Sequence, residues 1–322
     1  MNLLADLLAS DDAQLPARLP GGAQVARLAA AVWQITPPTA AAGRALIVSA
    51  GIHGDETAPV EVLCGLVSAL CSGALVPRVP LLLVFGNLQA LRAARRYLDD
   101  DLNRLFGSAS VSSLREAPRA AALAAAVDAF CAQHAGPLHL DLHSAIRDSR
   151  YACFAIAPRK DSGPLGGAPQ VLLAACGIEA VLLTGAAAPT FSARSARLHG
   201  CEAYTFELGR VRRLGDGVAG EFAAAERVLR ALIAAEPMPE PVAQLRVFRV
   251  SRELIKHSDA FRLTLPADAA NFTGFEPGAL IAEDGPLQWH AEAGELIVFP
   301  NPVVKPGLRA GLMVVADPAS DV

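Results

Sequence analysis

The sequence predicts an α/β protein with a mostly parallel central sheet flanked by helices, followed by a smaller all-β unit. Three observations carry this expectation. Over roughly the first 240 residues, short apolar runs alternate with stretches of helical periodicity. At Glu236–Pro241 (EPMPEP) three prolines fall within six residues, which makes a stiff connector. Beyond it no helical pattern recurs, and brief apolar runs are parted by turn residues. The expected division is residues 1–240 and 241–322.

Taken in order, Ala45–Ala50 (ALIVSA) is an apolar run closed by Gly51, a strand signal. Thr57 to Leu70 reads as a helix, with Pro59 in its first turn, where a missing N–H does no harm. Leu81–Phe85 is a second strand, closed by Gly86. Pro118–His134 is helical, with Leu123, Val127 and Phe130 on one stripe. Leu138–Leu142, Ala180–Thr184 and Tyr204–Leu208 are strands, and a helix ends near Gly177. Gly217–Glu236 is helical, with Phe222, Ala225, Leu229, Leu232 and Ile233 on one face. The β unit is read from Leu245–Val250, Phe261–Leu265, Leu280–Ala282, Leu296–Phe299 and Leu312–Val315, with turns such as Glu276-Pro277-Gly278 between them.

Composition narrows the function. The chain has 322 residues, 52% hydrophobic and 19% charged, so it can bury a sizeable core. A net charge of −4 without a basic tract argues against nucleic acid or an anionic membrane surface as partner. Met1–Gln14 has three aspartates and no lysine or arginine, unlike a secretory signal. The apolar stretch Val171–Pro189 carries Glu179 near its middle, which would be costly in lipid. The six cysteines show no C-x-x-C spacing and read as reduced, mostly core residues of a cytoplasmic protein.

Several segments carry chemistry. His53 and Glu56 stand at H-x-x-E spacing where a strand hands over to a helix, the end of a parallel sheet where ligands bind. Alone, such a pair is weak evidence for a metal, and a surface histidine beside a helix-start carboxylate is the more ordinary reading. Leu138–His143 (LHLDLH) alternates strictly, so His139, Asp141 and His143 share a face opposite three leucines. His143 lies last, at the carboxyl end, and is the expected third ligand; two histidines and one glutamate suit a catalytic zinc. Asp141 can hydrogen-bond a ligand histidine. His139 reads as a polar strand residue satisfied by its neighbours. Glu207 closes the strand Tyr204–Leu208 as either a paired structural group or a general base facing the cleft. In Arg95–Arg104, Arg95, Asp99 and Asp100 read as solvated charges; Arg96, Asn103 and Arg104 suit a carboxylate ligand.

Read together and in order, GIHGDETAPVEVL, RRYLDDDLNRLF, DLHSAIR and TFELG resemble the aspartoacylase/succinylglutamate desuccinylase family of zinc amidohydrolases, relatives of the zinc carboxypeptidases. The resemblance extends to FSAR (Phe191–Arg194), Lys256-His257-Ser258, Asn271-Phe272, FPNP (Phe299–Pro302) and GLRAGLM (Gly307–Met313), and so spans nearly the whole chain. It implies a carboxypeptidase-like α/β domain with a C-terminal β domain, and one zinc ion on His53, Glu56 and His143. It implies Glu207 as general base and acid, and Arg96 as the group polarising the scissile carbonyl. Asn103 and Arg104 are implied to hold a substrate carboxylate, with Arg194 as a further candidate. The implied reaction is hydrolysis of N-succinyl-L-glutamate in arginine catabolism, or of another N-acyl amino acid such as N-acetyl-aspartate.

Overall fold

In the computed structural model, which describes residues 2–107, 114–159, 163–216 and 220–318, apolar strands and amphipathic helices alternate through the first three quarters of the chain. The elements are α1 (Leu3–Ala9), β1 (Gln24–Ala29), β2 (Val32–Thr36), β3 (Leu46–Ala50), α2 (Thr57–Ser72), β4 (Leu81–Phe85), α3 (Leu88–Arg92), α4 (Ala117–Gln133), β5 (Leu138–Ala145), β6 (Cys153–Arg159), α5 (Gly167–Ala175), β7 (Ala180–Gly185), α6 (Phe191–His199), β8 (Glu202–Arg210) and α7 (Ala223–Ala234). Seven strands follow, most of them short: β9 (Arg246–Ile255), β10 (Arg262–Leu263), β11 (Thr273–Gly274), β12 (Leu280–Asp284), β13 (Leu287–His290), β14 (Leu296–Val298) and β15 (Arg309–Ala316). The expected helix Gly217–Glu236 begins at Ala223 behind a short 3₁₀ turn; residues 217–219 lie outside the described residues.

One large sheet has the order β1-β2-β4-β3-β5-β8-β6-β7-β9-β15-β14-β11. Its centre, β4-β3-β5-β8, is parallel, so four carboxyl ends point the same way. The strand β6 enters antiparallel to β8, and the β1–β2 hairpin adds an antiparallel edge. Both faces of the centre are covered, which is why its strands are continuous apolar runs. Leu46, Val48 and Ala50 pack with α1, α2, α5 and α7, whereas Ile47, Leu82 and Val84 pack under α4 and α6.

The sheet does not stop at the proline-rich connector. Strand β9 pairs parallel with β7 and carries the C-terminal strands β15, β14 and β11 on its other side, while β10, β12 and β13 form a separate small sheet. Phe154 of β6 packs edge to face on Phe272, with ring centroids 5.3 Å apart. Asn271 binds the loop after β5 through backbone bonds to Asp148 and Arg150, and its side chain accepts from Phe299 N at 2.8 Å. The C-terminal strands therefore abut the segment that follows the carboxyl end of β5. None of the described helices is long and apolar enough to cross a membrane.

Candidate active site

The loop Gly51–Glu56 leaves β3 at the sheet's carboxyl end and turns directly into α2. Gly51 has a φ of 73°, a left-handed conformation that favours glycine. Gly54 lies so close to α3 that a Cβ there would sit 2.2 Å from the Ala90 carbonyl carbon. Its N–H donates to Arg96 O at 3.1 Å, which ties this loop to the arginine-rich one. The path turns His53 and Glu56 inward, and both are buried.

His53, Glu56 and His143 each offer one ligand atom, and the three atoms lie within 4.8 Å of one another. Glu56 Oε1 is 2.7 Å from His53 Nδ1, and its Oε2 is 2.8 Å from His143 Nδ1. Both histidines thus present Nδ1 to the glutamate. Both are backed on Nε2 by a carboxylate: His53 by Asp101 at 2.9 Å and His143 by Asp141 at 3.0 Å. That backing fixes ring orientation and is the arrangement metal-binding histidines use. Two imidazoles and a carboxylate, converging and buried, fit a divalent cation such as zinc. The charges agree. Burial opposes ionisation of Glu56, but His53 and His143 outweigh it and hold its pKa well below the usual carboxylate range. Burial likewise opposes charge on both histidines, and the surrounding carboxylates outweigh it, raising both.

The segment after α3 places the next groups. Arg96 Nη1 donates to Glu56 Oε1 at 2.8 Å. Burial works against its charge, but Glu56, Asp101 and Glu207 outweigh it and raise its pKa. Glu116, at the start of α4, accepts backbone N–H groups of Leu98, Asp99 and Asp100 and so shapes the acidic stretch through its main chain. Asn103 is buried in a 3₁₀ turn, with its Oδ1 accepting from Phe191 N at 2.9 Å, so its amide nitrogen is the end that can serve a ligand. Arg104 is half exposed, with its Nε 3.9 Å from Asp101 Oδ2. Asp101 and Glu116 were invisible to motif reasoning. The local spacing of an acidic run does not show which of its members reaches a histidine 48 positions away.

Glu207 pairs in register with His143 on the neighbouring parallel strand, so the two side chains share a face. Burial, then the nearby Glu56 carboxylate, push its pKa up to about 7. A carboxyl group poised near neutrality beside a metal-type cluster is suited to exchange protons.

Arg194 is the candidate that makes no contact with this group. Its Nη1 and Nη2 donate to the two oxygens of Asp128 on α4, at 2.6 and 2.9 Å, and His199 meets the same carboxylate. In the structure its planar fork serves a pair between α4 and α6.

Comparison with known proteins shows which family the chain is similar to. Residues 42–233 match the family model described as the succinylglutamate desuccinylase/aspartoacylase catalytic domain, and residues 243–317 match an AstE/AspA barrel-sandwich hybrid domain. A succinylglutamate desuccinylase of Burkholderia orbicola is 47% identical over 282 residues, 86% of this chain and 82% of that protein. That of Ectopseudomonas mendocina is 42% identical over 92% of this chain and 91% of its own length. The crystal structure of succinylglutamate desuccinylase from Chromobacterium violaceum superposes with a TM-score of 0.84 at 36% identity, covering 98% of both chains. The Vibrio cholerae structure gives 0.89 at 32% identity, covering 98% of this chain and 94% of that one.

Proposed function

The chain belongs to the succinylglutamate desuccinylase/aspartoacylase family, and we propose that this amidohydrolase cleaves N-succinyl-L-glutamate to succinate and L-glutamate using one zinc ion per chain. The observation that carries the reading is the convergence of His53, Glu56 and His143 within 4.8 Å beside Glu207 and Arg96. A divalent cation held by those three supplies a Lewis acid that acidifies water and draws electron density from the amide carbonyl.

Glu207 takes the proton as the water oxygen attacks the carbonyl carbon, then returns it to the amide nitrogen as the C–N bond breaks. Its elevated pKa suits both directions of transfer. Arg96 faces the developing oxyanion, where an aligned donor contributes about 3 kcal/mol. Asn103 and Arg104 hold a carboxylate of the substrate, and Arg194, engaged with Asp128, has the weaker claim to such a role. The same reading assigns catalysis to residues 1–240 and shaping of the site entrance to 241–322, and it places the enzyme in cytoplasmic arginine catabolism.

The acyl preference is the part to test first. Initial rates on N-succinyl-L-glutamate and N-acetyl-L-aspartate should differ at least tenfold in kcat/KM in favour of the first, about 1.4 kcal/mol of discrimination. Preference for the acetyl compound would replace the substrate and leave the chemistry standing.

A further inference from the structure

Three polar side chains on the buried face of β5 and β3 form a continuous row behind the metal-type cluster. His143 Nε2 is 3.0 Å from Asp141 Oδ2. Asp141 Oδ1 accepts from Ser49 Oγ at 2.5 Å. Ser49 Oγ is also 3.0 Å from His139 Nε2, and His139 Nδ1 is 2.7 Å from Ser195 Oγ on α6. His139, Asp141 and Ser49 are fully buried, so every proton in the row must come from the row itself.

A single hydroxyl proton then settles the order. Ser49 has one, and it lies on the short bond to the Asp141 carboxylate, the strongest acceptor within reach. Only lone pairs of Ser49 remain for His139, so His139 must donate from Nε2. Burial, with the nearby His143 adding to it and Asp141 opposing, pulls the His139 pKa down to about 4, so the ring is neutral and carries one proton. With that proton on Nε2, Nδ1 accepts from Ser195. The Ser195 hydroxyl also has Ser192 O at 2.8 Å, but that carbonyl belongs to a helix whose backbone ladder can serve it. The opposite tautomer would leave Nε2 bare against a hydroxyl already committed to Asp141, an unmade bond in a dry interior.

We propose that His139 is a positioning residue: its Nε2–H tautomer, held between Ser195 and Ser49, orients the Asp141 carboxylate so that His143 keeps its proton on Nε2 and turns Nδ1 to the metal. The row works as a relay of orientation from α6 to the ligand. His139 itself touches neither substrate nor metal. The inference rests on the zinc reading above.

The test uses the full-length chain and zinc alone as probe. Long-range ¹H–¹⁵N correlation of histidine-labelled wild type should show His139 neutral and protonated on Nε2; an Nδ1–H form or an imidazolium at neutral pH overturns the proposal. Zinc affinity is then measured by chelator competition. His139→Phe, which fills the space and removes both nitrogens, should weaken zinc binding at least tenfold, in the range seen for outer-shell substitutions. His139→Gln, which restores an N–H near the Nε2 position, should recover to within about threefold of wild type. Ser49→Ala cuts the row one link closer to the metal and should weaken binding at least as much, so the inference stays testable if His139→Phe does not fold. Wild-type affinity in folded His139→Phe or in Ser49→Ala overturns the relay while leaving the metal site intact. A wild-type chain that takes up no zinc overturns both.

Discussion

Gly54→Ala separates the role of a backbone approach from that of any ligand atom. Gly54 does not have a positive φ, so alanine is conformationally allowed there and the effect is purely one of room. The new Cβ would lie 2.2 Å from the Ala90 carbonyl carbon and the Leu91 nitrogen, and 2.7 Å from Ala90 O. Comfortable carbon contacts begin near about 3.5 Å, so relief takes more than about 1 Å of movement. The obstacle is the backbone of α3, not the tip of a flexible side chain, which puts the cost near the upper end of overpacking penalties, about 3 kcal/mol. The loop that must yield carries His53 one residue before and Glu56 two residues after. A misplacement of about 1 Å at reacting groups costs about 10²-fold in rate. Gly65, on the exposed side of α2, is the control: a Cβ there meets nothing within 4 Å, and alanine should stabilise the helix by about 0.5–1 kcal/mol. Urea unfolding, zinc titration and initial rates on both variants make the assay. A Gly54→Ala protein with wild-type stability, zinc affinity and turnover would refute the argument that this approach sets the ligand geometry.

Other expectations follow from individual groups. Glu207 acts as a base only when ionised, so activity should fall as pH drops through its pKa, near 7 without metal and lower once a cation favours the carboxylate. Glu207→Gln should lower kcat at least about 10²-fold and remove this acid limb, whereas a retained limb assigns it to another group. Asp101→Asn keeps an acceptor for His53 Nε2 but loses the charge, and chelator competition should show zinc binding weakened about 10-fold; no change would make Asp101 a structural cap of the 3₁₀ turn and nothing more. Arg104→Ala should raise KM about 10–100-fold, the loss of a charge-assisted contact, with Arg194→Ala changing it less than about 3-fold; the reverse order would move the carboxylate site towards α6.

Much of the centre of this molecule is readable from local pattern. The apolar runs at 45–50, 81–85 and 138–142 are buried on both faces, and such strands announce themselves by composition alone. The alternation of LHLDLH puts three polar groups on one face, and His53 with Glu56 falls at the strand-to-helix turn where a parallel sheet presents ligands. What local pattern does not carry is pairing at a distance. Strand β1 (QVARLA) has a mixed pattern with little apolar contrast, and β6 includes Pro158, which demotes a strand signal. The order that sets β6 beyond β8, and the passage of the sheet through β9, depend on contacts made across many tens of residues. The same holds within the site. Glu116 acts on Leu98 through Asp100, and Arg194 is claimed by Asp128 66 positions earlier, neither of which spacing can reveal. His139 is the instructive intermediate case. Its face was evident from the alternation, but its partners Ser49 and Ser195 lie 90 and 56 positions away.

The most direct test of the central claim couples chemistry to metal in one preparation. Purified protein is assayed for succinate release from N-succinyl-L-glutamate as isolated, after chelation, and after zinc is restored, with bound metal counted at each stage. The account predicts release that disappears on chelation and returns in proportion to zinc, saturating at one ion per chain, with His143→Ala inactive throughout. Undiminished release from fully chelated protein would contradict it, because hydrolysis would then proceed without the ion that His53, Glu56 and His143 are arranged to hold.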